Sequence, residues 1–435
     1  MESGINEKMK VVWICHFSNQ QIRDSLPLSR RKISNGLRAL LGKRKLIYTD
    51  FAPWVTNQIT EFKKFSDVEL HVIAPHTGLK PFTHKFEMDG VHYHFFKPEL
   101  PLFFDNILNR FGRKQKKNFK LNRLWVKRSI SKINPDIINL IGTENPYYSI
   151  TVLDAKNIPI YVSAQTVYTN PNRKKYSDTC IDLNWDVELK IHQKEKYYGC
   201  TGRMHHDLIL KNNSDGIIFK NFFPIQKPSA VKTVPKEYDF VYFAQQVSVK
   251  KGIEDAIDAL ALVKNEKPNV TLNVVGNCSH DYRFMLNQKN ERLGLKDNIS
   301  FTDYFPIHAD MHQHVKKSKF ALLPIKMDVI PGTVVEAALL HLPIVTYKTT
   351  GTPYLNREKE CLLISNIEDI QGLATNMLKL LNDEVFAKML ADNAKEYITR
   401  IWDNTTSAKR LLANYKAVVD HYYNETPIPE ELLFD

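Results

Sequence analysis

The stretch Asp328-Val-Ile-Pro-Gly-Thr-Val-Val-Glu336-Ala-Ala, followed by Leu342-Pro-Ile-Val-Thr346, carries the most information about the fold of this chain. It places one carboxylate in a loop and a second one eight residues later, in the first turn of a helix predicted over Thr333–Leu340. Gly332 and Thr333 begin that helix, so their backbone amides are available to an anion. Carboxylates accept hydrogen bonds from hydroxyl groups. The pattern therefore predicts a site for a ligand with hydroxyl and phosphate groups, although an acidic helix cap has the same pattern.

A second motif precedes this stretch in the chain. Lys250-Lys251-Gly252 lies between a predicted strand, Phe240–Ala244, and a predicted helix, Ile253–Lys264. The junction of a strand, a loop and a helix N-terminus is where free amides and the positive helix end hold a phosphate. A lysine in this loop could neutralise a departing diphosphate. A solvated surface lysine pair is the alternative.

Short apolar strands alternate with helical segments through both halves of the chain. The predicted strands of the first half are Val11–Phe17, Glu69–Ala74, Pro135–Ile141, Ile158–Ser163 and Ser214–Phe219. The second half repeats the pattern, with strands at Phe240–Ala244, Val270–Val275, Ile299–Phe301, Phe320–Pro324 and Pro343–Tyr347. Such alternation predicts right-handed βαβ crossovers and an α/β protein with two doubly wound, Rossmann-like domains facing a cleft.

The predicted domain organisation follows from a proline-rich segment without periodicity. Residues 222–238 contain three prolines and are predicted to be the linker. We expect a first domain over residues 1–221 and a second over 239–404. Further helices are predicted at Ile33–Leu41, Trp54–Phe65, Ile367–Leu381, Glu384–Ile401 and Ser407–Tyr423. The last of these, taken as residues 405–425, is expected to cross back to the first domain.

The segment from about Tyr238 to Tyr415 resembles the donor domain of the retaining glycosyltransferases of family 4, the "group 1" transferases, which have the GT-B fold. That family typically has G-R-x-x-x-x-K-G, then V-x-G, then E-x7-E running into E-A-x-x-x-x-x-P-V-V. This chain has Gln245 to Gly252, then Val274-Val275-Gly276, then Asp328-x7-Glu336 continuing to Leu342-Pro-Ile-Val345. Each motif is weak alone, but their order and spacing match over about 180 residues.

The resemblance implies roles for individual residues of the second half. Lys251 matches the lysine that stabilises the donor diphosphate, and Glu336 matches the carboxylate on the nucleotide ribose. Asp328 replaces a glutamate that faces the donor sugar, and Gln246 stands where the family usually has arginine, which removes one positive charge. The resemblance also implies further donor-binding residues, namely Gly276, Tyr304, Gly332, Thr333 and Thr352.

The first half resembles the family less closely. Pro135-Asp-Ile-Ile-Asn139 has asparagine in place of the family's histidine, and Gln165 falls where many members have a histidine on the reacting sugar. The family's Gly-Gly loop is replaced by Ser18–Asp24, and Gly202–Asp207 is similar to a G-R-T-x-W-D stretch of some members. The residues expected on the acceptor side of the cleft are His16, Glu144, Gln165 and Arg203.

The implied reaction is transfer of a sugar, with retention of configuration, from a nucleotide diphosphate sugar of the UDP or GDP type to a hydroxyl of a glycan or lipid-linked glycan. The resemblance implies no cofactor and no metal, and a role in surface polysaccharide biosynthesis. Two alternatives keep the fold: a catalytically degenerate, nucleotide-sugar-binding member, because of Gln246, Asn139 and Gln165, and a nucleotide-sugar 2-epimerase.

The charge is unevenly distributed along the chain. The net charge is +12, and residues 1–220 have +14 against −2 in the rest. Leu102–Arg128 joins an apolar start to nine Lys and Arg residues between 110 and 128, which favours contact with an anionic membrane surface. A solvated basic helix is the alternative. A nucleic-acid-binding protein is the remote alternative, because the basic half could bind an anionic polymer. No nucleic-acid-binding module is recognisable, however, so nucleic acid is not expected as a partner.

Composition and the absence of several motifs exclude some classes of protein. Apolar residues make up 43% of the chain, which is typical of a globular protein. P-loop, G-x-G-x-x-G and G-x-S-x-G motifs are absent from the sequence, and so is an apolar run long enough to span a membrane.

Scattered cysteines and a polar Met1–Lys10 predict a cytoplasmic protein with reduced thiols, peripheral to the membrane at most. His92 and His94, and the group His308, His312 and His314, are interpreted as structural, since no nearby carboxylate or cysteine completes a metal site.

Overall fold

The structure is a computed structural model of the 435-residue chain. It describes residues 8–29, 35–36, 40, 48, 50–99, 118–171, 173, 182–225, 227–228 and 232–434. Several sequence-based expectations therefore lie largely outside the described residues: the helix at Ile33–Leu41, Cys180 and the first part of Leu102–Arg128.

The first half is built on an eight-stranded sheet with the order β3-β4-β2-β1-β5-β6-β7-β8. Its strands are β1 Met9–Ile14, β2 Val68–Pro75, β3 Thr83–Met88, β4 Val91–Phe96, β5 Ile137–Ile141, β6 Ile160–Ser163, β7 Tyr197–Cys200 and β8 Ile217–Lys220. All neighbours are parallel except β3, which pairs antiparallel with β4. The central strands β1 and β5 are almost entirely buried, as expected for a parallel sheet covered on both faces.

The second half has a six-stranded parallel sheet with the order β11-β10-β9-β12-β13-β14. Its strands are β9 Tyr238–Gln246, β10 Leu272–Asn277, β11 Ile299–Thr302, β12 Ser318–Leu323, β13 Ile344–Tyr347 and β14 Leu363–Ser365. This order is that of a doubly wound nucleotide-binding sheet, in which the strand order reverses between β9 and β12.

Helices cover both faces of the two sheets. The helices of the described residues that the argument uses are α1 Gln20–Asp24, α2 Pro53–Phe62, α3 Lys120–Ile133, α4 Pro146–Ser149, α5 Asp182–Lys194, α6 Arg203–Asn212, α7 Ile253–Lys264, α8 His280–Arg292, α9 His308–Val315, α10 Gly332–Leu339, α11 Ile370–Asn382, α12 Glu384–Ile401 and α13 Asn404–Asn424. The α/β class with two Rossmann-like sheets is confirmed, and α7 and α12 have the predicted bounds.

The sequence-based prediction missed elements at the edges of both sheets. The strand β3, which forms a hairpin with β4, and the strands β7 and β14 were not expected, nor were α8 and α9. In the hairpin, charged and histidine side chains interrupt the apolar pattern, and Gly90 with φ +74° closes the turn. Strands this short, or this polar, have no periodic apolar signal that separates them from loops.

The C-terminal helix α13 packs against the first sheet, as the resemblance implies. Its residues Leu411 and Tyr415 are fully buried in the same core as Val11 and Trp13 of β1. Asn139 at the centre of the sheet donates a hydrogen bond to the Tyr415 hydroxyl, and Asn414 donates to the Tyr161 hydroxyl. The C-terminal helix therefore stabilises the N-terminal half of the protein.

Candidate active site

The two loops at the reversal point of the second sheet contain the residues that the sequence singles out. One loop follows β9 and ends at Gly252, and the other follows β12 and ends where α10 begins. Ligands of open α/β sheets bind at this point, beyond the carboxyl ends of the strands. Lys251 lies in the first loop and Asp328 in the second.

Lys251 and Asp328 form an ion pair across this reversal point. The Lys251 ammonium donates to the Asp328 carboxylate at 3.0 Å, with 27% and 37% of the two side chains exposed. The other Asp328 oxygen accepts from the Val329 amide at 3.0 Å. The lysine is therefore held over the loop by a partner that a bound anion could replace.

Two glycines bring backbone against backbone beside this pair. Gly252 has φ +76°, and a Cβ there would lie 1.8 Å from the Pro324 carbonyl oxygen. Gly276, at φ +142°, would place a Cβ 2.0 Å from the Ala244 carbonyl oxygen. A side chain at either position is incompatible with the observed loops, so both are required by the geometry of the site.

Glu336 in the first turns of α10 faces two histidines of α9. Its Oε2 atom lies 3.3 Å from Nε2 of His308 and 3.4 Å from Nε2 of His312. Burial raises the pKa of Glu336, but the two imidazoles lower it by more, so the carboxyl pKa is below its ordinary value. Burial lowers the pKa of His308, but the facing carboxylate raises it by more, so it lies above its ordinary value.

The start of α10 leaves amides free for a ligand. The helix begins at Gly332 after Pro331, and the amides of Gly332 and Thr333 precede its first intrahelical hydrogen bonds. Gly332 is exposed and has open space where a Cβ would lie. Thr352 differs: its buried hydroxyl donates to the Tyr347 carbonyl at 2.8 Å, so it shapes a neighbouring turn.

Gln246 and Tyr304 lie near this site. Gln246 ends β9, is exposed, and accepts from the Asn277 side chain at 3.4 Å. Burial and the charge of Asp50 raise the pKa of Tyr304, while Arg23 opposes them. Asp50 and Arg23 belong to the first half, where they form an ion pair of 2.6 Å, so Tyr304 lies at the cleft. Arg23 is a cation at the cleft that the sequence did not single out.

The first sheet reverses between β1 and β5, and His16 lies at that point. Its Nδ1 atom makes a hydrogen bond with the Tyr147 hydroxyl. Burial and the nearby His76 lower the pKa of His16 to about 4. The imidazole is therefore neutral at physiological pH, and it can accept or donate a hydrogen bond but offers no positive charge.

Glu144 and Gln165 are neighbours on the same side of the cleft. With its amide oriented to satisfy both partners, Gln165 donates to Glu144 at 3.1 Å and accepts from the Trp54 indole at 3.0 Å. Burial raises the pKa of Glu144 to about 7. Its Oε2 atom is buried and has no hydrogen-bond partner among the described residues. This carboxyl can exchange a proton near neutral pH.

Arg203, which is expected on the acceptor side of the cleft, and His205 both lie at the start of α6. Arg203 has 63% of its side chain exposed and pairs with Asp207 on the surface of α6. His205 is buried instead, and burial holds its pKa at about 4 although the charge of Asp328 acts in the opposite direction. The turn before it also contacts the second half, since a Cβ on Gly202 would lie 2.5 Å from Val329. His205 therefore lies near Asp328, although the sequence did not single it out as a site residue.

The other histidine group has a carboxylate that the sequence did not reveal. In the parallel register of β2 and β4, His71 lies beside His92, with stacked rings 4.6 Å apart. Glu69 on β2 contacts His71 at 2.7 Å. Residues on separate strands meet here, so spacing along one strand could not show the cluster.

Part of the second half matches a known protein family. Residues 225–397 match the sequence model of the family described as glycosyl transferases group 1. No curated protein matches the chain at a significant level.

Solved structures are similar over nearly the whole chain. A sucrose-phosphate synthase from Thermosynechococcus elongatus has a TM-score of 0.64 at 12% identity, covering 94% of this chain and 98% of its own. HepE from Anabaena, in complex with UDP and glucose, has 0.61 at 14%, covering 94% and 99%. A glycosyltransferase from Rickettsia africae has 0.60 at 13%, covering 95% and 99%. These similarities show the GT-B fold.

The fold and the family match together define the class of the protein. It is a glycosyltransferase of enzyme class 2.4 with a group 1 domain in its second half. None of the helices that the structure describes is long and apolar enough to cross a membrane.

Proposed function

We propose that the protein is a retaining glycosyltransferase that moves a sugar from a nucleotide diphosphate sugar to a hydroxyl of a glycan or lipid-linked glycan. The observation that carries the proposal is the Lys251–Asp328 ion pair at the reversal point of the second sheet, with Glu336 eight residues further on. One donor molecule spans these groups: diphosphate at Lys251, sugar at Asp328, ribose at Glu336.

Each group has a defined task in this proposal. The ammonium of Lys251 leaves Asp328 and neutralises the negative charge that develops on the departing diphosphate. The freed Asp328 carboxylate accepts hydrogen bonds from the donor sugar, and the amides of Gly332 and Thr333 donate to oxygens of the diphosphate or sugar. The positive charge comes from side chains and helix ends, so the proposed transfer uses neither a metal nor another cofactor.

The nucleotide is proposed to be UDP, with GDP as the alternative. HepE from Anabaena, which has the same fold, is described in complex with UDP-glucose. The acceptor is proposed to enter from the first half, between His16, Glu144 and Gln165. Transfer to a growing surface polysaccharide at the cytoplasmic face of a membrane fits the basic first half, which has a net charge of +14 over residues 1–220.

The experiment is calorimetric titration of the protein with UDP, GDP and ADP in metal-free buffer, followed by turnover with the matching sugar nucleotides. We expect Lys251→Ala to lower kcat/KM by about 10²–10³-fold, because a charge that acts on the leaving group is lost. Lys289→Ala is the matched control. Lys289 forms a similar ion pair with Asp258, at 2.7 Å and with comparable exposure, away from the site. Equal activity of the two variants would refute the role of Lys251.

Gln246 favours a second candidate, a family member that binds a nucleotide sugar without transferring it. It stands where the resemblance expects arginine, and its amide contacts Asn277 rather than a carboxylate. Tight nucleotide binding without turnover on any acceptor would support this function, and Gln246→Arg would then raise the transfer rate.

Glu144 favours a third candidate, a 2-epimerase, because a carboxyl with a pKa near 7 is suited to acid–base chemistry. Incubation of the sugar nucleotide with no acceptor tests this candidate. Formation of an epimeric product would support it, and product only in the presence of an acceptor would exclude it.

A further inference from the structure

We infer that His308, His312 and Glu336 form a binding site for a transition-metal cation of the Zn²⁺ class, and that this metal competes with the donor nucleotide for Glu336. The metal site itself depends only on the geometry. The competition rests on the proposed function, in which Glu336 accepts from the ribose.

The three side chains are spaced as ligands of one ion. His308 and His312 lie four residues apart on α9, so their rings project from the same face of the helix. Both Nε2 atoms approach the same carboxylate oxygen, at 3.3 and 3.4 Å. Two ligand atoms bound to Zn²⁺ at about 2.0–2.1 Å in a tetrahedral arrangement lie roughly 3.3 Å apart. Both histidine-to-carboxylate distances therefore match this value, and the ligand atoms of all three residues lie within 4.8 Å of one another.

The histidine nitrogens are also available to bind an ion. The Nε2 atom of His308 is buried against the carboxylate but makes no hydrogen bond of acceptable geometry with the described residues. His312 has only 2% of its side chain exposed, and its ring lies edge-on to that of His308 at 4.4 Å. His308 has 40% of its side chain exposed, which leaves a route for the ion to enter.

The chemistry of the set selects the metal. Two imidazoles and one carboxylate suit Zn²⁺, Co²⁺ or Ni²⁺, whereas Mg²⁺ and Ca²⁺ prefer sites made of oxygen ligands. Three protein ligands leave a fourth position for water.

Metal bound at this site would inhibit donor binding rather than assist it. A carboxylate oxygen bound to the metal is no longer available to a ribose hydroxyl, so metal binding lowers the affinity for the donor. By linkage, bound donor lowers the affinity for the metal by the same factor.

The first test measures metal binding without any nucleotide. Chelator-treated protein is titrated with Co²⁺, whose visible absorption reports tetrahedral coordination, and then with Zn²⁺ against a chromogenic chelator. We expect one equivalent of tetrahedral Co²⁺ and at least tenfold weaker binding of both metals by His308→Ala. The control is His280→Ala, since His280 lies in the same half with 96% of its side chain exposed. Binding that is absent, or equal in the two variants, would overturn the inference.

The second test measures the competition. The affinity for UDP, or for GDP or ADP if one of these binds instead, is measured with and without a chelator-buffered free Zn²⁺ level of about ten times its Kd, because competition at the Kd itself weakens binding by only about twofold. Each protein is compared with itself. We expect Zn²⁺ to weaken nucleotide binding severalfold in the wild type and to have little effect in His308→Ala. Unchanged or tighter wild-type binding would overturn the competition. A protein that binds no nucleotide in metal-free buffer would refute the proposed function, while the Co²⁺ result would still stand.

Discussion

Glu144 is a residue whose ionisation is strongly altered by the fold. Burial raises its pKa to about 7, so the folded protein keeps a proton that the unfolded chain loses above about pH 4.5. The stability associated with this proton is present below pH 4.5 and declines as the pH rises to 7. A neutral Glu144→Gln avoids this cost. We therefore expect the free energy of unfolding of the variant, relative to that of the wild type, to rise by about 1–3 kcal/mol between pH 5 and pH 7. Above pH 7 the difference should stay constant.

Chemical unfolding across this pH range measures the difference, and Asp154→Asn is a control of opposite sign. The hydrogen bond from Arg123 holds the pKa of Asp154 below its ordinary value, despite partial burial. Its contribution to stability is therefore present above about pH 4 and is lost as the pH falls. A Glu144→Gln effect that is constant from pH 5 to 8 would contradict the raised pKa.

Gly252 shows how much the loop between β9 and α7 depends on one missing side chain. Alanine at φ +76° is strained by about 1–3 kcal/mol, and its Cβ would also collide with the Pro324 carbonyl. We expect Gly252→Ala to destabilise the protein by more than the strain alone and to weaken nucleotide binding, because the loops that hold Lys251 and Asp328 must separate.

Gly294→Ala isolates the strain from the collision. Gly294 has a similar φ of +68°, but no atom lies within 4 Å of the position of its Cβ. We expect it to lose about 1 kcal/mol and to keep normal nucleotide affinity. Thermal unfolding and calorimetry give both quantities, and equal losses in the two variants would refute the close approach of the loops.

The described part of the basic segment places apolar side chains beside cations on α3. Leu121 and Leu124 are 48% and 40% exposed, and Lys120, Lys127 and Arg128 lie on the same helix. Apolar side chains can insert between lipids while each nearby basic residue contributes about 1 kcal/mol. We expect Leu121→Glu/Leu124→Glu to lower binding to phosphatidylglycerol vesicles about tenfold or more.

Val385→Glu/Met389→Glu is the matched control for vesicle binding. These two residues are exposed apolar side chains of α12 in the second half. Cosedimentation should be unchanged in this variant. If both double variants lose binding equally, or if wild type does not bind, the membrane proposal fails.

The sequence predicted elements well where apolar periodicity is strong, and poorly where partners are distant. The bounds of α7 and α12 follow from regular apolar spacing. The motifs Lys251-Gly252 and Asp328-x7-Glu336 identify the two loops that meet at the reversal point of the second sheet, where we propose the donor site. The contact of His312 with Glu336 joins residues 24 positions apart, and His205 lies near Asp328 only because the two halves face each other. Such pairs depend on the packing of helices and domains, which no local pattern contains.

At the scale of the whole molecule, the C-terminal helix α13 packs on the sheet of the first half, so the end of the chain contributes to the stability of its beginning. Tyr415 is fully buried between Phe62, Tyr161 and the first sheet, and its hydroxyl accepts from Asn139. Removing a buried aromatic ring costs about 3–5 kcal/mol, and the loss of its hydroxyl leaves Asn139 without this partner. We expect Tyr415→Ala to lower the unfolding free energy of the first half by that amount.

Denaturant unfolding followed by tryptophan fluorescence tests this expectation, because Trp13 lies in the same core as Tyr415. Tyr422→Ala is the control, since Tyr422 is on the same helix but 41% exposed. It should change stability by less than about 0.5 kcal/mol. If the two variants unfold at the same denaturant concentration, α13 does not support the first sheet in solution. If only Tyr415→Ala unfolds early, the last helix of the chain is part of the core of its first half.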